Sequence, residues 1–232
     1  MLSIIIPTYN ESKNIAELLL RIKKSLSQDY ELIIVDDASP DGTGQIAEDL
    51  AKIYPLKVIH RIKKLGLASA VLDGFKAARG ELLCVMDSDL SHPPEIIAHL
   101  LNQIKEQNQD IVIGSRFTKG GEILNWPKKR LFATNLAIFT VRGLTSVHDP
   151  MSGFFILRRE VIQNIKLIPR GYKILLEILV KGKYKKLLEY PFSFIDRAKG
   201  ESKIDTKVYL EFIAQLWDLY LYKLMLCFKI QS

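Results

Sequence analysis

The chain has 232 residues, 48% of them hydrophobic and 25% charged, an ordinary globular composition with room for a real core. Its formal net charge of +7 favours anionic partners: nucleotides, phospholipid surfaces or nucleic acid. The two cysteines, Cys84 in an apolar run and Cys227 in an aromatic-rich tail, exclude a disulfide framework and point to a reducing compartment.

In chain order, the N-terminal "LSIIIP" is a short β-branched run of the kind a doubly buried strand needs. It has no basic flank or small-residue cleavage site, so it reads as a strand and not a signal peptide. "ESKNIAELLLRIKKSL" places Ile15, Leu18, Leu19, Ile22 and Leu26 on one helical face. "YELIIVDD" is a second strand, "DGTGQIAEDLAKIY" a helix and "LKVIHRI" a third strand. In "LGLASAVLDGFKAARG" Gly66, Ala70, Gly74 and Ala78 recur every fourth residue, a stripe for close packing on a sheet, with Gly80 as the expected C-cap. "ELLCVMD" is strand four, "PPEIIAHLLNQIKEQ" a helix with proline in its first turn, and "DIVIGS" strand five. Beyond them come a basic helix in "WPKKRLFATNLAIFTVRGL", a strand running into a short helix in "MSGFFILRREVI", and a helix in "YKILLEILVKG". "KKLLEYPFSFID" reads as an edge strand broken by Pro191, followed by the basic loop "RAKGESKI". A long aromatic tail ends the chain. No stretch reaches about eighteen uninterrupted apolar residues, so no transmembrane helix is expected.

Alternation of strand and helix with short turns predicts a mainly parallel, doubly wound α/β sheet, which binds ligands beyond the carboxyl ends of its strands. Polar residues fall on those ends: Pro7-Tyr9-Asn10-Glu11, Asp36-Asp37, Lys63-Lys64, Asp87-Asp89 and Ser115-Arg116. The first turn lacks G-x-G-x-x-G, which argues against a dinucleotide cofactor. Asp87 and Asp89 sit two residues apart, so in an extended segment they share a direction and a divalent cation. A bare Asp-x-Asp is more often a solvated turn; its place at the end of a buried strand favours the metal. Asp36 and Asp37 read either as a turn, with Asp41 or Thr43 capping the next helix, or as a contact to a nucleoside. His92 and His148 have no partner at ligand spacing and read as structural.

The segments "IIIPTYNE", "VDDASPDGT", "KKLGLASAVLDGF", "MDSDLSHPPE", "GSRFTKGG" and "DPMSGFF" resemble, in order, the motifs of the GT-A-fold, family 2 inverting glycosyltransferases. Nearest among these are the polyprenyl (dolichyl)-phosphate mannose synthases and their glucose-transferring relatives. The resemblance runs from about Ile4 to Lys203. It implies a GT-A domain over 1–204 and a C-terminal amphipathic, interfacial appendage over 205–232, with helices on both faces of the sheet. It implies that Pro7, Tyr9, Glu11, Val35 and Asp37 hold the nucleoside and that Asp87, Ser88 and Asp89 bind the diphosphate through Mg²⁺ or Mn²⁺. Relatives often carry a glutamine two residues beyond the second aspartate; Ser91 stands here as the third candidate ligand. Carried over likewise, Arg116, Arg130 and Arg197 cradle the acceptor phosphate or the sugar diphosphate, and Lys203 contacts donor phosphates. Arginine suits this because its planar fork grips phosphate oxygens in pairs. For Lys128 and Lys129 the solvated-surface reading is kept.

The activity implied is transfer of mannose from GDP-mannose to a polyprenyl phosphate. UDP-glucose as donor, and a glycan hydroxyl as acceptor, remain the alternatives; a non-enzymatic nucleotide or nucleic-acid binder would not need the paired aspartates. A lipid phosphate is already anionic and needs no general base, so Asp149 reads as an organiser of the arginines. The lipid acceptor implies peripheral binding at the cytoplasmic face of a membrane, a membrane partner subunit, and no nucleic acid. The 131–144 helix and the 209–228 tail carry aromatic and aliphatic faces edged by Lys and Arg, as interfacial helices do.

Overall fold

The computed structural model describes residues 1–168, 173–195 and 206–230. Five strands follow the parallel-type alternation: β1 (Leu2–Thr8), β2 (Tyr30–Asp36), β3 (Leu56–His60), β4 (Leu82–Val85) and β5 (Ile111–Ser115). Between them lie α1 (Ile15–Ser25), α2 (Thr43–Leu50), α3 (Leu67–Ala77) and α4 (Ile96–Glu106). The second half adds β6 (Glu122–Leu124), α5 (Lys128–Val141), β7 (Phe155–Arg158), a 3-10 turn at Arg159–Val161, α6 (Ile174–Lys181), β8 (Leu187–Pro191), β9 (Ser193–Ile195) and α7 (Thr206–Ile230).

The main sheet runs β3-β2-β1-β4-β7-β5-β8. All its pairings are parallel except those of β7, which runs antiparallel between β4 and β5. That reversal matters for function. The residues preceding β7, the "DPMSGF" segment, arrive at the same edge where the parallel strands end. Pro191 marks where the chain leaves the main sheet: β8 is its edge strand, and β9 pairs with β6 in a separate two-stranded sheet.

Strand alternation builds the core on both faces. Ile4, Ile6, Leu32, Ile34 and Cys84 pack toward the α1 and α4 residues Leu18, Ile22, Ile97 and Leu101. Ile5, Ile33, Val35, Leu83 and Val85 pack toward Ala70, Val71, Phe75, Leu175 and Ile178 of α3 and α6. The small-residue stripe does what its spacing predicts: a Cβ on Gly74 would stand 2.3 Å from Ile5 Cγ2. Gly80 is no C-cap, because α3 already ends at Ala77; its Cβ would strike Ser3 Oγ at 2.6 Å. The prolines of "SHPPE" also sit before the helix. Their carbonyls accept the Ile96 and Ile97 N–H groups in a lead-in turn, and α4 starts at Ile96.

The C-terminal helix α7 is docked as well as exposed. Leu219 is buried with Val141, Leu144 and Leu176, and the Tyr220 hydroxyl donates to Thr140 O of α5 at 2.7 Å. Its opposite stripe, Leu210, Ile213, Trp217, Leu221 and Leu224, is open to solvent, as are Phe132, Leu136 and Phe139 of α5. No helix among the described residues is long and apolar enough to cross a membrane.

Candidate active site

The carboxyl edge of the sheet gathers the expected residues. Pro7 and Val35 are register partners, and the Pro7 carbonyl accepts the Ser88 hydroxyl at 3.1 Å, tying the first strand tip to the fourth. Val35 is fully buried, so its backbone is what it can offer a nucleoside. Glu11 accepts Asn14 Nδ2 at 2.7 Å, and its own N–H donates to Thr43 Oγ1. The Lys64 ammonium lies 3.8 Å from the centroid of the Tyr9 ring. Asp37 accepts from Arg61 Nη1 and the Leu65 N–H on Oδ1 and from the Gly66 N–H on Oδ2, fixing the β3–α3 loop as a wall of the pocket. Asp36 is turned inward onto Thr8 and Ser39; Gly42 is the N-cap of α2, and Asp41 ahead of it accepts the Thr43 N–H and hydroxyl and the Ser12 N–H.

Three tips end in a left-handed residue that is not glycine: Asn10 (φ 60°), Ala38 (φ 59°) and Leu90 (φ 64°). Such strain, of order 1–3 kcal/mol each, concentrates at binding sites. At Leu90 it has a visible product. The chain has left β4 after Val85, so Asp87, Ser88 and Asp89 lie in a bend rather than in the extended strand their spacing suggested. The bend lets the Ser91 N–H and hydroxyl both reach Asp89 Oδ1, at 3.0 and 2.5 Å. Ser91 thus orients Asp89.

Asp87 is braced by His92, which sequence reasoning left as structural. The Asp87 N–H donates to His92 Nδ1 at 3.0 Å, and His92 Nε2 stands 3.7 Å from Asp87 Oδ2. The ring is buried and stacked on Phe154 at 5.2 Å; burial pushes its pKa down, partly offset by the Asp87 and Asp89 carboxylates. Gly153, delivered by the antiparallel β7, leaves room for that carboxylate, since a Cβ there would lie 3.1 Å from Asp87 Oδ1.

Arg116 faces them across the site. It grips Asp149 in bidentate fashion, Nε to Oδ2 and Nη2 to Oδ1, both at 2.8 Å, and its own N–H adds a bond to Oδ2 at 3.0 Å. Asp149 is completely buried. Burial alone would lower the Arg116 pKa, but Asp149 outweighs it and the net shift is upward. Beneath the pair, Glu189 of β8 accepts Ser115 Oγ and the Asp149 N–H on Oε1 and the His148 N–H and Nδ1 on Oε2. Arg130 covers the Trp126 ring at 4.1 Å. Lys173 enters from the start of α6, its ammonium 3.4 Å from Met151 O. Burial first, then Arg116, brings its pKa down to about 7, against the pull of Asp149 and Asp87. Lys128 and Lys129 are exposed, and Arg197 and Lys203 lie outside the described residues.

A parallel-strand edge with an Asp-x-Asp bend and an opposing arginine cluster is therefore assembled within the segment 3–166, which matches the family described as Glycosyl transferase family 2. The chain belongs to that family. A dolichol-phosphate mannosyltransferase of Pyrococcus furiosus is 49% identical over 222 residues, covering 94% of this chain and 63% of that protein, so the chain spans under two thirds of that relative. One from Saccharomyces cerevisiae is 37% identical, covering 95% of this chain and 87% of that protein. Among solved structures, the mannosyltransferase PcManGT of Pyrobaculum calidifontis, in complex with GDP-Man and Mn²⁺, aligns with a TM-score of 0.61 at 19% identity, covering 87% of this chain and 58% of that one. Glucosyl-3-phosphoglycerate synthase of Mycobacterium tuberculosis aligns with a TM-score of 0.67 at 18% identity, covering 93% and 79%. At these identities the two structures speak for the GT-A fold.

Within this family-2 site, Glu189, Lys173 and Trp126 escape the sequence reading, which gives His92 a structural role. Only Glu189 left a signal, a charged residue inside a strand-like apolar run.

Proposed function

We propose that this chain transfers mannose from GDP-mannose to a polyprenyl phosphate of the dolichyl type, with inversion. The identity to relatives named dolichol-phosphate mannosyltransferase supports the sugar and the acceptor. The observation that carries the chemistry is Asp149: buried, and engaged by the Arg116 guanidinium and backbone, it is an anchor and not a proton acceptor. An acceptor that needs no deprotonation fits such a site.

In this reading Pro7, Tyr9, Glu11, Val35 and Asp37 line the nucleoside pocket. Asp87 and Asp89 present hard oxygen donors at one tip, which fits Mg²⁺ or Mn²⁺ shared with substrate phosphates. The metal, when bound, neutralises charge on the departing diphosphate. Ser91 and His92 hold the two carboxylates in place, and Ser88 locks the bend to β1. Arg116, Arg130, Lys173 and, from outside the described residues, Arg197 and Lys203 attract and align the phosphates. An anionic lipid-phosphate oxygen attacks the anomeric carbon, the bond from that carbon to the nucleoside diphosphate breaks, GDP departs with the electron pair, and configuration inverts.

The exposed stripes of α5 and α7 lie against a membrane surface, on the cytoplasmic face, where the lipid acceptor resides. A panel of GDP- and UDP-sugars tested with polyprenyl phosphate and Mn²⁺ decides the assignment. Product from GDP-mannose is expected; product from UDP-glucose alone would replace the donor, and none from any sugar would overturn the reading.

A further inference from the structure

Trp126 meets both described arginines of the site. The Arg130 guanidinium lies 4.1 Å from its ring centroid and that of Arg116 lies 5.3 Å away. Phe194 meets the indole edge-on at 5.5 Å. These placements follow from the small β6–β9 sheet, which sets Trp126 just after β6 and Phe194 within β9. Among the described residues, the buried indole N–H finds no acceptor. A buried donor without a partner is a cost, and phenylalanine would avoid it. Tryptophan's advantage over phenylalanine is the stronger negative potential of its face, the best of the aromatic residues for holding a cation.

We propose that Trp126 is a positioning residue of the transfer site, its ring face holding the Arg116 and Arg130 guanidiniums together for an incoming phosphate. Two like charges in a poorly solvated site repel. Asp149 restrains Arg116, and the indole face adds an attraction for both guanidiniums. The partner chemistry is a phosphate oxyanion, supplied by the lipid acceptor or by the donor diphosphate. The inference rests on the proposed function for that assignment and on geometry alone for the ring's role.

The test replaces Trp126 with a series of increasingly fluorinated tryptophans in a Trp217→Phe background, which leaves position 126 as the one tryptophan. Fluorination drains the ring face while nearly preserving its shape. Michaelis constants for polyprenyl phosphate and GDP-mannose are measured with Tm, and the affinity for inorganic pyrophosphate is measured by calorimetry without turnover. Across the series one Michaelis constant and the pyrophosphate dissociation constant should rise together, by about three- to tenfold, with Tm unchanged. The substrate whose constant moves is the source of the phosphate. Flat constants along the series would make the ring packing only and overturn the proposal. A protein that transferred no mannose would sink the proposed function, and the pyrophosphate series would still decide Trp126.

Discussion

Replacing Asp149 with asparagine separates an anchor from a base. Asp149 and Arg116 side chains are 0% and 9% exposed, so solvent screens the pair little. Asparagine keeps the shape but turns an NH₂ group toward guanidinium donors and leaves a cation buried without its counter-charge. Breaking one partner of a buried pair costs about 3–5 kcal/mol, which for a chain of this size lowers Tm by about 6–20 °C. Arg116 then loses its fixed geometry, and misplacement of an aligning group costs up to about a hundredfold in rate. The expected result is a less stable enzyme, impaired chiefly in its Michaelis constant for the lipid phosphate, with the shape of its pH profile retained. Thermal melts and initial rates from pH 6 to 9 measure this. A variant that melted with the wild type yet lost several orders of magnitude in rate, the deficit shrinking as pH rose, would refute the anchor and restore Asp149 as a base.

Other expectations follow from the site. His92→Phe keeps the ring contacts but deletes the acceptor for the half-buried Asp87 N–H; it should cost about 1 kcal/mol and weaken Mn²⁺-dependent GDP binding. His92→Asn, whose side-chain oxygen can take the Nδ1 position, should recover part of both in denaturant melts and calorimetry. Lys173, at about pKa 7 when folded and near 10.4 when unfolded, binds fewer protons in the folded state between those values. Wild-type stability relative to Lys173→Met should therefore rise from about pH 7 to 10 and be flat below; a constant difference between the two melts would remove the perturbed ammonium. Serine at Ile213, Trp217 and Leu221, all exposed on α7, should abolish sedimentation with anionic vesicles while sparing turnover of a short, water-soluble polyprenyl phosphate. Retained sedimentation would place the membrane contact elsewhere.

The first five strands and four helices were legible because each rests on local periodicity, and the strand-tip rule then located the edge of the site. The direction of β7 was not legible. Nothing local in "GFFILR" separates a parallel from an antiparallel strand, yet that direction brings Gly153 and Asp149 to the site. The conformation of the Asp-x-Asp segment differs from the extended one for a related reason: a left-handed leucine has no propensity signature, and the bend that includes Leu90 lets Ser91 reach Asp89. His92, Glu189 and Lys173 act through partners 5, 40 and 22 residues away. Such pairings are properties of the folded sheet, invisible to spacing. The tail reads as one amphipathic helix; in the fold it has two apolar stripes, one docked on the domain and one open to solvent.

The aromatic residues answer a difficulty that the charges create. Asp87, Asp89 and Asp149 share one edge with Arg116, Arg130 and Lys173, and in a poorly solvated site opposite charges tend to collapse onto each other. Here Asp149 engages the Arg116 charge, and a run of rings in contact leads from beside Asp87 to Arg130. His92 braces Asp87 and stacks on Phe154; Phe154 meets Phe192 at 5.7 Å; Phe192 meets Phe194; Phe194 meets Trp126, on which Arg130 rests. Packed rings resist compression in a way that a hydrogen-bonded network with alternative partners does not. On the proposed function, such a stack leaves room for a metal–diphosphate beside Asp87 and a lipid phosphate beside Arg130.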